Sequence, residues 1–319
     1  MIITLRDIED ARKTIRDHVN KTPLIRSQFF SDVCGGDVYL KLENAQVTNS
    51  FKIRGAINRM MKLSAEERKR GIIAASSGNH AQAIGVGAEK LHLKATVVVP
   101  ENCPKIKVEK IKRHKIKLIL HGEIYDVTEQ YARELAKEEG LTFISAYNDP
   151  FVIAGQGTVG LEILEDLPAV DTIIVPVSGG SLISGIAIAA KSIKPSVEIL
   201  GVQPETTPAM YYSLKAGKII DVGMRDTIAD GLSGNIEKGS ITFEMVQRYV
   251  DEVLLYDEET IRKAIRVLWE KEGQVAEGSG AISIAPIMNS GQRFAGKRTV
   301  AVISGGNIDN RVLQDILAS

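Results

Sequence analysis

The chain has 319 residues, 44% of them apolar and 25% charged, with 40 Lys and Arg balanced by 40 Asp and Glu. That is the make-up of a globular protein long enough for two domains. Zero net charge excludes a broadly basic binder of nucleic acid or membrane surface, and two cysteines, Cys34 and Cys103, exclude a disulfide framework or a CxxC metal site.

Charge appears within the first seven residues, too early for a signal peptide, and no apolar run reaches the ~18 residues of a membrane-spanning helix. Aromatic residues make up only 5%, too few for nucleic-acid stacking platforms. A reducing cytoplasm is the expected setting.

In chain order, Thr4 and Asp7 form a capping box ahead of a helix whose Leu5, Ile8, Ile15 and Val19 share a face. That helix ends before Thr22-Pro23. Short apolar runs follow at 72–75, 95–99, 116–120, 141–144, 173–177, 199–202 and 300–303. Helical patterns separate them, at 106–114, 127–138 and 261–271 among others. Residues 215–225 read as a short polar connection containing glycine. The runs are continuous rather than alternating, as in parallel strands buried on both faces. The expected class is α/β with doubly wound open sheets.

Three strand ends share a composition: Ser76-Ser77-Gly78-Asn79-His80, Ser178-Gly179-Gly180-Ser181 and Ser304-Gly305-Gly306-Asn307. Ligands of open α/β sheets bind beyond the carboxyl ends of strands. Glycine there lets backbone N–H groups approach an anion, and the next helix adds its positive end. One such turn is ordinary loop chemistry, but three favour a shared ligand bearing an anionic group.

A P-loop fails as the explanation, because Gly180 and Gly185 are followed by Ile186 where lysine is required. Gly155-Gln156-Gly157-Thr158-Val159-Gly160 is a GxGxxG inside a helical pattern, and its glycines read as close helix packing. His18, His80, His92, His114 and His121 make no HExxH or HxH pair, and no metal site is expected; His92, His114 and His121 read as polar surface. What remains is a cofactor held by its phosphate at Gly179-Gly180 and the helix after it. Such a cofactor needs a reactive partner, and Lys52, behind Phe51 and ahead of Arg54, can be one.

Ser50-Phe51-Lys52-Ile53-Arg54-Gly55-Ala56, together with Ser76-Ser77-Gly78-Asn79-His80, resembles the fold-type II pyridoxal-phosphate enzymes, the tryptophan synthase β-like fold. Within them it is similar to the serine/threonine dehydratases and serine racemases. Thr22-Pro23-Leu24, Ala154-Gly155-Gln156-Gly157-Thr158, Ala229-Asp230-Gly231 and Ser304-Gly305-Gly306-Asn307 follow in the family's order, so the resemblance runs through nearly the whole chain. It implies a large cofactor-binding domain of residues 1–65 and 150–319 and a small domain of 66–149.

The resemblance implies pyridoxal 5'-phosphate as cofactor, with Lys52 as its Schiff-base lysine and as the catalytic base. Phe51 lies against the ring and Asn79 bonds its O3′. Ser178, Gly179, Gly180, Ser181 and Leu182 hold the phosphate, and Ser304 faces the pyridine nitrogen. Ser76, Ser77, Asn79 and His80 bind substrate, His80 as a hydrogen-bond partner at the helix start. Ser77 is the candidate acid/base for a second face of the α-carbon, as in racemases. Glu277 matches an acidic position near the cofactor. The implied reaction is loss of water from L-threonine or L-serine, giving a 2-oxo acid and ammonia. Racemisation of serine or a related amino acid is the alternative.

Two departures stand out. Relatives carry four consecutive glycines in the phosphate loop, whereas Ser178 and Ser181 flank two here, so the backbone at both must tolerate a Cβ. Gln203 and Ala209 replace carboxylates of the cation site found in some racemases, so no divalent ion is expected. The partners implied are a small amino-acid substrate and further copies of the chain, as homodimer or homotetramer, with neither nucleic acid nor membrane. No appended regulatory domain is expected after the last glycine loop.

Overall fold

The computed structural model describes residues 3–289 and 291–318. Its strands in chain order are β1 (Leu24–Ser27), β2 (Asp37–Leu42), β3 (Ile72–Ala75), β4 (Ala95–Val99), β5 (Lys117–Leu120), β6 (Thr142–Phe143), β7 (Thr172–Pro176), β8 (Glu198–Pro204), β9 (Glu252–Tyr256) and β10 (Arg298–Ile303). They form two sheets, ordered β1-β2-β10-β7-β8-β9 and β5-β4-β3-β6. The β1–β2 pair is antiparallel and the other pairings are parallel.

Continuous apolar runs make sense in this arrangement, because successive side chains enter different cores. Val300 and Val302 of β10 pack on one face of the large sheet, with Ile173, Val175 and Ile199. Ala301 and Ile303 pack on the other, with Ile174 and Leu200. The small sheet repeats the pattern: Ile72, Ala74, Val97 and Val99 face one cluster, and Ile73, Ala75 and Val98 face a second.

Run 116–120 is the exception. Its strand, β5, lies at a sheet edge and leaves Lys117 and Leu120 exposed, so it is not buried on both faces. The opening helix, Leu5–Ile15, carries the expected capping box but stops short of Val19, which follows in a turn.

The glycines of 155–160 lie inside the helix Pro150–Asp166 and are packing positions, as read. A Cβ on Gly155 would stand 2.7 Å from the Arg54 carbonyl oxygen, and one on Gly160 would stand 3.0 Å from that of Ile186. This close approach seats the helix Lys52–Met61 and the helix Ser181–Ile193 against their common neighbour.

Candidate active site

The carboxyl ends of β3, β7 and β10 open into one cavity of about 320 Å³. Its wall includes Ser76, Ser77, Gly78, Asn79 and His80 from the first turn. Ser178, Gly179, Gly180, Ser181 and Leu182 come from the second, and Ser304 and Asn307 from the third. Phe51 and Lys52 complete it, so every residue read from sequence as a candidate lines the same space.

Lys52 opens the helix Lys52–Met61. Its entry is fixed by backbone pairing with the end of β10: Phe51 N–H donates to the Ser304 carbonyl at 3.1 Å, and Ser50 bridges Gly305. The Lys52 ammonium donates to the Ala146 carbonyl at 3.1 Å and sits 4.7 Å from the centre of the Phe51 ring. Burial pulls its pKa down to about 8, against an opposing pull from Glu277.

Two residues on, Arg54 is wholly buried. Its guanidinium donates to both oxygens of Glu43, at 2.8 Å each, and to both of Glu162, at 2.6 and 2.9 Å. Lys41, also wholly buried, donates to Glu162 at 2.6 Å and to the Thr22 carbonyl at 2.7 Å. Two cations and two carboxylates therefore balance beneath the lysine-bearing helix. Sequence reading found Arg54 as part of a motif but not its partners, which lie far apart along the chain.

In the second turn only Gly180 has left-handed backbone, with φ of 90°. Ser178 and Ser181 are absent from the positive-φ residues, so their Cβ atoms cost nothing there. A Cβ on Gly179 would stand 2.6 Å from the Tyr147 ring carbon Cδ1, so that glycine is required by close approach. Gly180 caps the 13-residue helix Ser181–Ile193, whose first N–H groups have no partner inside the helix. Ser304 Oγ donates to the Ser279 carbonyl at 3.2 Å and is 3% exposed.

In the first turn, Ser76 Oγ accepts from Gly78 N–H at 3.2 Å, and the Ser77 hydroxyl hydrogen-bonds the Cys103 thiol. His80 stands at the helix start, as the second residue of the helix Asn79–Leu91. It is buried, with Nε2 3.0 Å from the Ile144 carbonyl, and burial holds its pKa down at about 4, so the ring is neutral. Asn79 donates to Glu277 at 2.5 Å and accepts from Asn307 at 2.7 Å. Glu277 is 7% exposed, and burial with the nearby Asp230 charge pushes its carboxyl up to about 7.

The mouth carries ion pairs that sequence reading did not foresee, one of them at Asp230 of the Ala229-Asp230-Gly231 motif. Lys107, on the small-sheet side, pairs with Asp230 at 2.5 Å. Arg133 and Asn148 both reach Glu237 Oε2, at 3.1 and 2.9 Å, and Tyr147 OH accepts from Glu237 N–H at 2.9 Å. Segment 230–237 is thereby strapped across the entrance. Among the other histidines, His114 is not plain surface: its ring covers Gly85, where a Cβ would stand 2.6 Å away. Gln203 spends both ends of its amide within the chain, on the Thr207 carbonyl and Tyr211 N–H.

A family profile described as pyridoxal-phosphate dependent enzyme matches residues 15–305. The chain belongs to that family. L-threonine ammonia-lyase of Thermotoga maritima is 46% identical over 316 residues, covering 99% of this chain and 78% of the relative. L-threonine dehydratase catabolic TdcB of Staphylococcus aureus is 44% identical over 312 residues, covering 97% and 90%. The solved structure of maize serine racemase superposes with a TM-score of 0.93 at 35% identity, covering 100% of this chain and 98% of that one. The architecture is the fold-type II one, with two doubly wound open sheets.

As a pyridoxal-phosphate enzyme, the chain has a cavity that fits its cofactor. The 178–182 turn lines that cavity and carries the unpaired N–H groups of the helix start at Ser181, which suits a phosphate. A lysine with a lowered pKa lines the same cavity, and so does a buried serine hydroxyl, that of Ser304.

Proposed function

We propose that this enzyme removes water from L-threonine or L-serine, and that the product gives a 2-oxo acid and ammonia. The observation that carries the proposal is the single cavity that places Lys52, the 76–80 turn and the 178–182 cradle together. The names of the 46% and 44% identical relatives support the same reaction.

Pyridoxal phosphate, when bound, supplies an aldehyde for amino groups and a ring that draws electrons from the α-carbon. The 178–182 turn would hold its phosphate, Phe51 would flank its ring and Ser304 would face its nitrogen. Ser304 is a neutral partner there. A carboxylate would hold a proton on that nitrogen and strengthen the ring as an electron sink, whereas a hydroxyl favours prompt loss of the β-substituent. Lys52, with a pKa near 8, has a usable neutral fraction at physiological pH and can take the α-proton. Ser76, Ser77 and the helix start at Asn79 would hold the substrate carboxylate. His80, neutral and tied to Ile144, orients the turn rather than moving protons.

Racemisation is the second reading, favoured by Ser77 at the cavity wall and by the likeness to serine racemase. We read residues 1–65 and 150–319 as the large domain and 66–149 as the small one, supported by the small sheet's span from β3 to β6. A homodimer or homotetramer in the cytoplasm completes the proposal. Exposed Trp269 and Val275 offer surface for the former, and free Cys34 and Cys103 suit the latter.

The test is a panel of L- and D-serine, threonine and 3-hydroxyaspartate, assayed for 2-oxo acid, ammonia and enantiomer. Stoichiometric 2-oxo acid and ammonia from L-threonine or L-serine is the expected result. Turnover confined to enantiomer exchange would replace the dehydratase reading with the racemase one.

A further inference from the structure

A run of hydrogen bonds crosses the cavity wall from the Thr48 carbonyl to Glu277. Asn307 Nδ2 donates to Thr48 O at 2.9 Å and to Asn79 Oδ1 at 2.7 Å; Asn79 Nδ2 donates to Glu277 Oε1 at 2.5 Å. The direction of each link follows from one end. A backbone carbonyl can only accept, so the Asn307 atom facing Thr48 is nitrogen. The second hydrogen of that nitrogen serves Asn79, whose facing atom must be oxygen. The Asn79 nitrogen is then turned toward Glu277 and needs an acceptor, which a carboxylate oxygen supplies.

Counting hydrogens leaves one over. Asn307 has committed both of its amide hydrogens, and Asn79 has committed one of two. Among the described residues no acceptor takes the other, and Asn79 lines the cavity. Glu277 is held firmly in place to accept from Asn79. A Cβ on Gly305 would overlap its carboxylate, and its own N–H donates to the Gly305 carbonyl at 3.1 Å. No Lys or Arg forms an ion pair with it within 4 Å among the described residues; its close partners are the Asn79 amide and the backbone N–H of Asn307.

We propose that Glu277 and Asn307 are positioning residues that fix the Asn79 amide between them, so that its one uncommitted hydrogen is presented to the bound cofactor. The proposal rests on Asn79 as a cofactor contact. It requires of residue 277 an acceptor oxygen rather than a charge, and of residue 307 a donor.

Three variants separate these demands: Glu277→Gln keeps an acceptor, Glu277→Leu removes it, and Asn307→Asp sets an acceptor against an acceptor. Two readouts apply besides turnover: the dissociation constant for pyridoxal phosphate added to cofactor-free protein, and the visible absorption maximum of the holoenzyme. Glu277→Leu and Asn307→Asp each leave a buried polar group of the chain unpaired, so each should weaken cofactor binding by roughly tenfold or more and shift the band. Glu277→Gln should stay within about threefold of wild type with its band unmoved. Equal losses in Glu277→Gln and Glu277→Leu would show that charge matters and overturn the proposal. So would an Asn307→Asp variant with wild-type affinity and band. Wild-type affinity and band are measured without substrate, so failure of the proposed reaction is read separately, from the product panel.

Discussion

Lys52 and Ala146 meet across the cavity: the lysine ammonium donates to the Ala146 carbonyl at 3.1 Å, in the stretch between β6 and the helix Pro150–Asp166. That contact holds the amine at the cavity wall, and burial lowers its pKa to about 8. Lys107 and Lys110 line the cavity too, but Lys107 is committed to Asp230 and both stand on the helix Lys105–Lys112 rather than behind Phe51. Lys52→Ala should therefore abolish turnover and the absorption band of the lysine–cofactor imine, leaving phosphate recognition at 178–182 in place. Absorption spectroscopy and a 2-oxo acid assay check this, and a variant with wild-type turnover would remove Lys52 from the chemistry.

Removing Arg54 should be costly in a different way. Arg54→Leu leaves Glu43 and Glu162 buried with only Lys41 near, and breaking one partner out of a buried ion network costs about 3–5 kcal/mol. Urea unfolding should show the loss. A change under about 1 kcal/mol would mean that water or relaxation satisfies the carboxylates.

Three of the shifted groups of the cavity, Lys52, His80 and Glu277, make opposite demands on pH in the cofactor-free protein. Lys52 falls from 10.5 to about 8, so the unfolded chain binds more protons between those values and stability rises with pH there. His80 falls from 6.5 to about 4, so stability is lost as pH drops through that window. Glu277 rises from 4.5 to about 7, so the folded state binds more protons and stability falls as pH climbs between them. Asp230, Lys107 and Asn79 face Glu277, and its charge also reaches Lys52. Glu277→Gln should cancel that falling limb: its stability minus that of wild type should grow from about pH 4.5 to about pH 7. A flat difference would deny Glu277 its raised pKa.

Ser77 divides the two catalytic readings. Its hydroxyl bonds the Cys103 thiol, a weak partner whose own pKa burial raises, so that contact does not activate it as a base. Wild type should show slow enantiomer exchange beside dehydration, and Ser77→Ala should lose the exchange while keeping most L-threonine elimination. Chiral analysis of unreacted substrate decides it. If wild type exchanges no enantiomer, Ser77 only binds.

Much of this site was legible because its pieces are local in sequence. A strand end, a glycine and a hydroxyl sit within five residues in each of the three turns, and runs such as 72–75 match their strands to the residue. β2 was missed because Lys41 interrupts its apolar run, and Lys41 is inside only because Glu162 waits for it. β1 is an edge strand with only Leu24 and Ile25 apolar, whereas β9, at the other edge, does carry an apolar run, Val253-Leu254-Leu255-Tyr256, which sequence reading passed over. Glu277 was visible as a carboxylate near a family motif, but its tie to Asn79 needs two segments that only the fold brings together. The Tyr147 ring over Gly179 explains that glycine better than phosphate alone, and spacing gave no hint of it.

The pairing of β2 with β10 sets an order of events during synthesis. Asp37–Leu42 cannot acquire their central neighbour until Arg298–Ile303 have left the ribosome, whereas β3 to β6 come from one uninterrupted stretch. Loop closure on that scale is slow, so the nascent chain should hold a finished small sheet while β2 still waits with an open edge. Until then that edge and its apolar neighbours are open to chaperones or to aggregation. Pulsed hydrogen exchange during refolding should protect the amides of β3 and β4 before those of β2 and β10; simultaneous protection would make the two sheets a single cooperative unit.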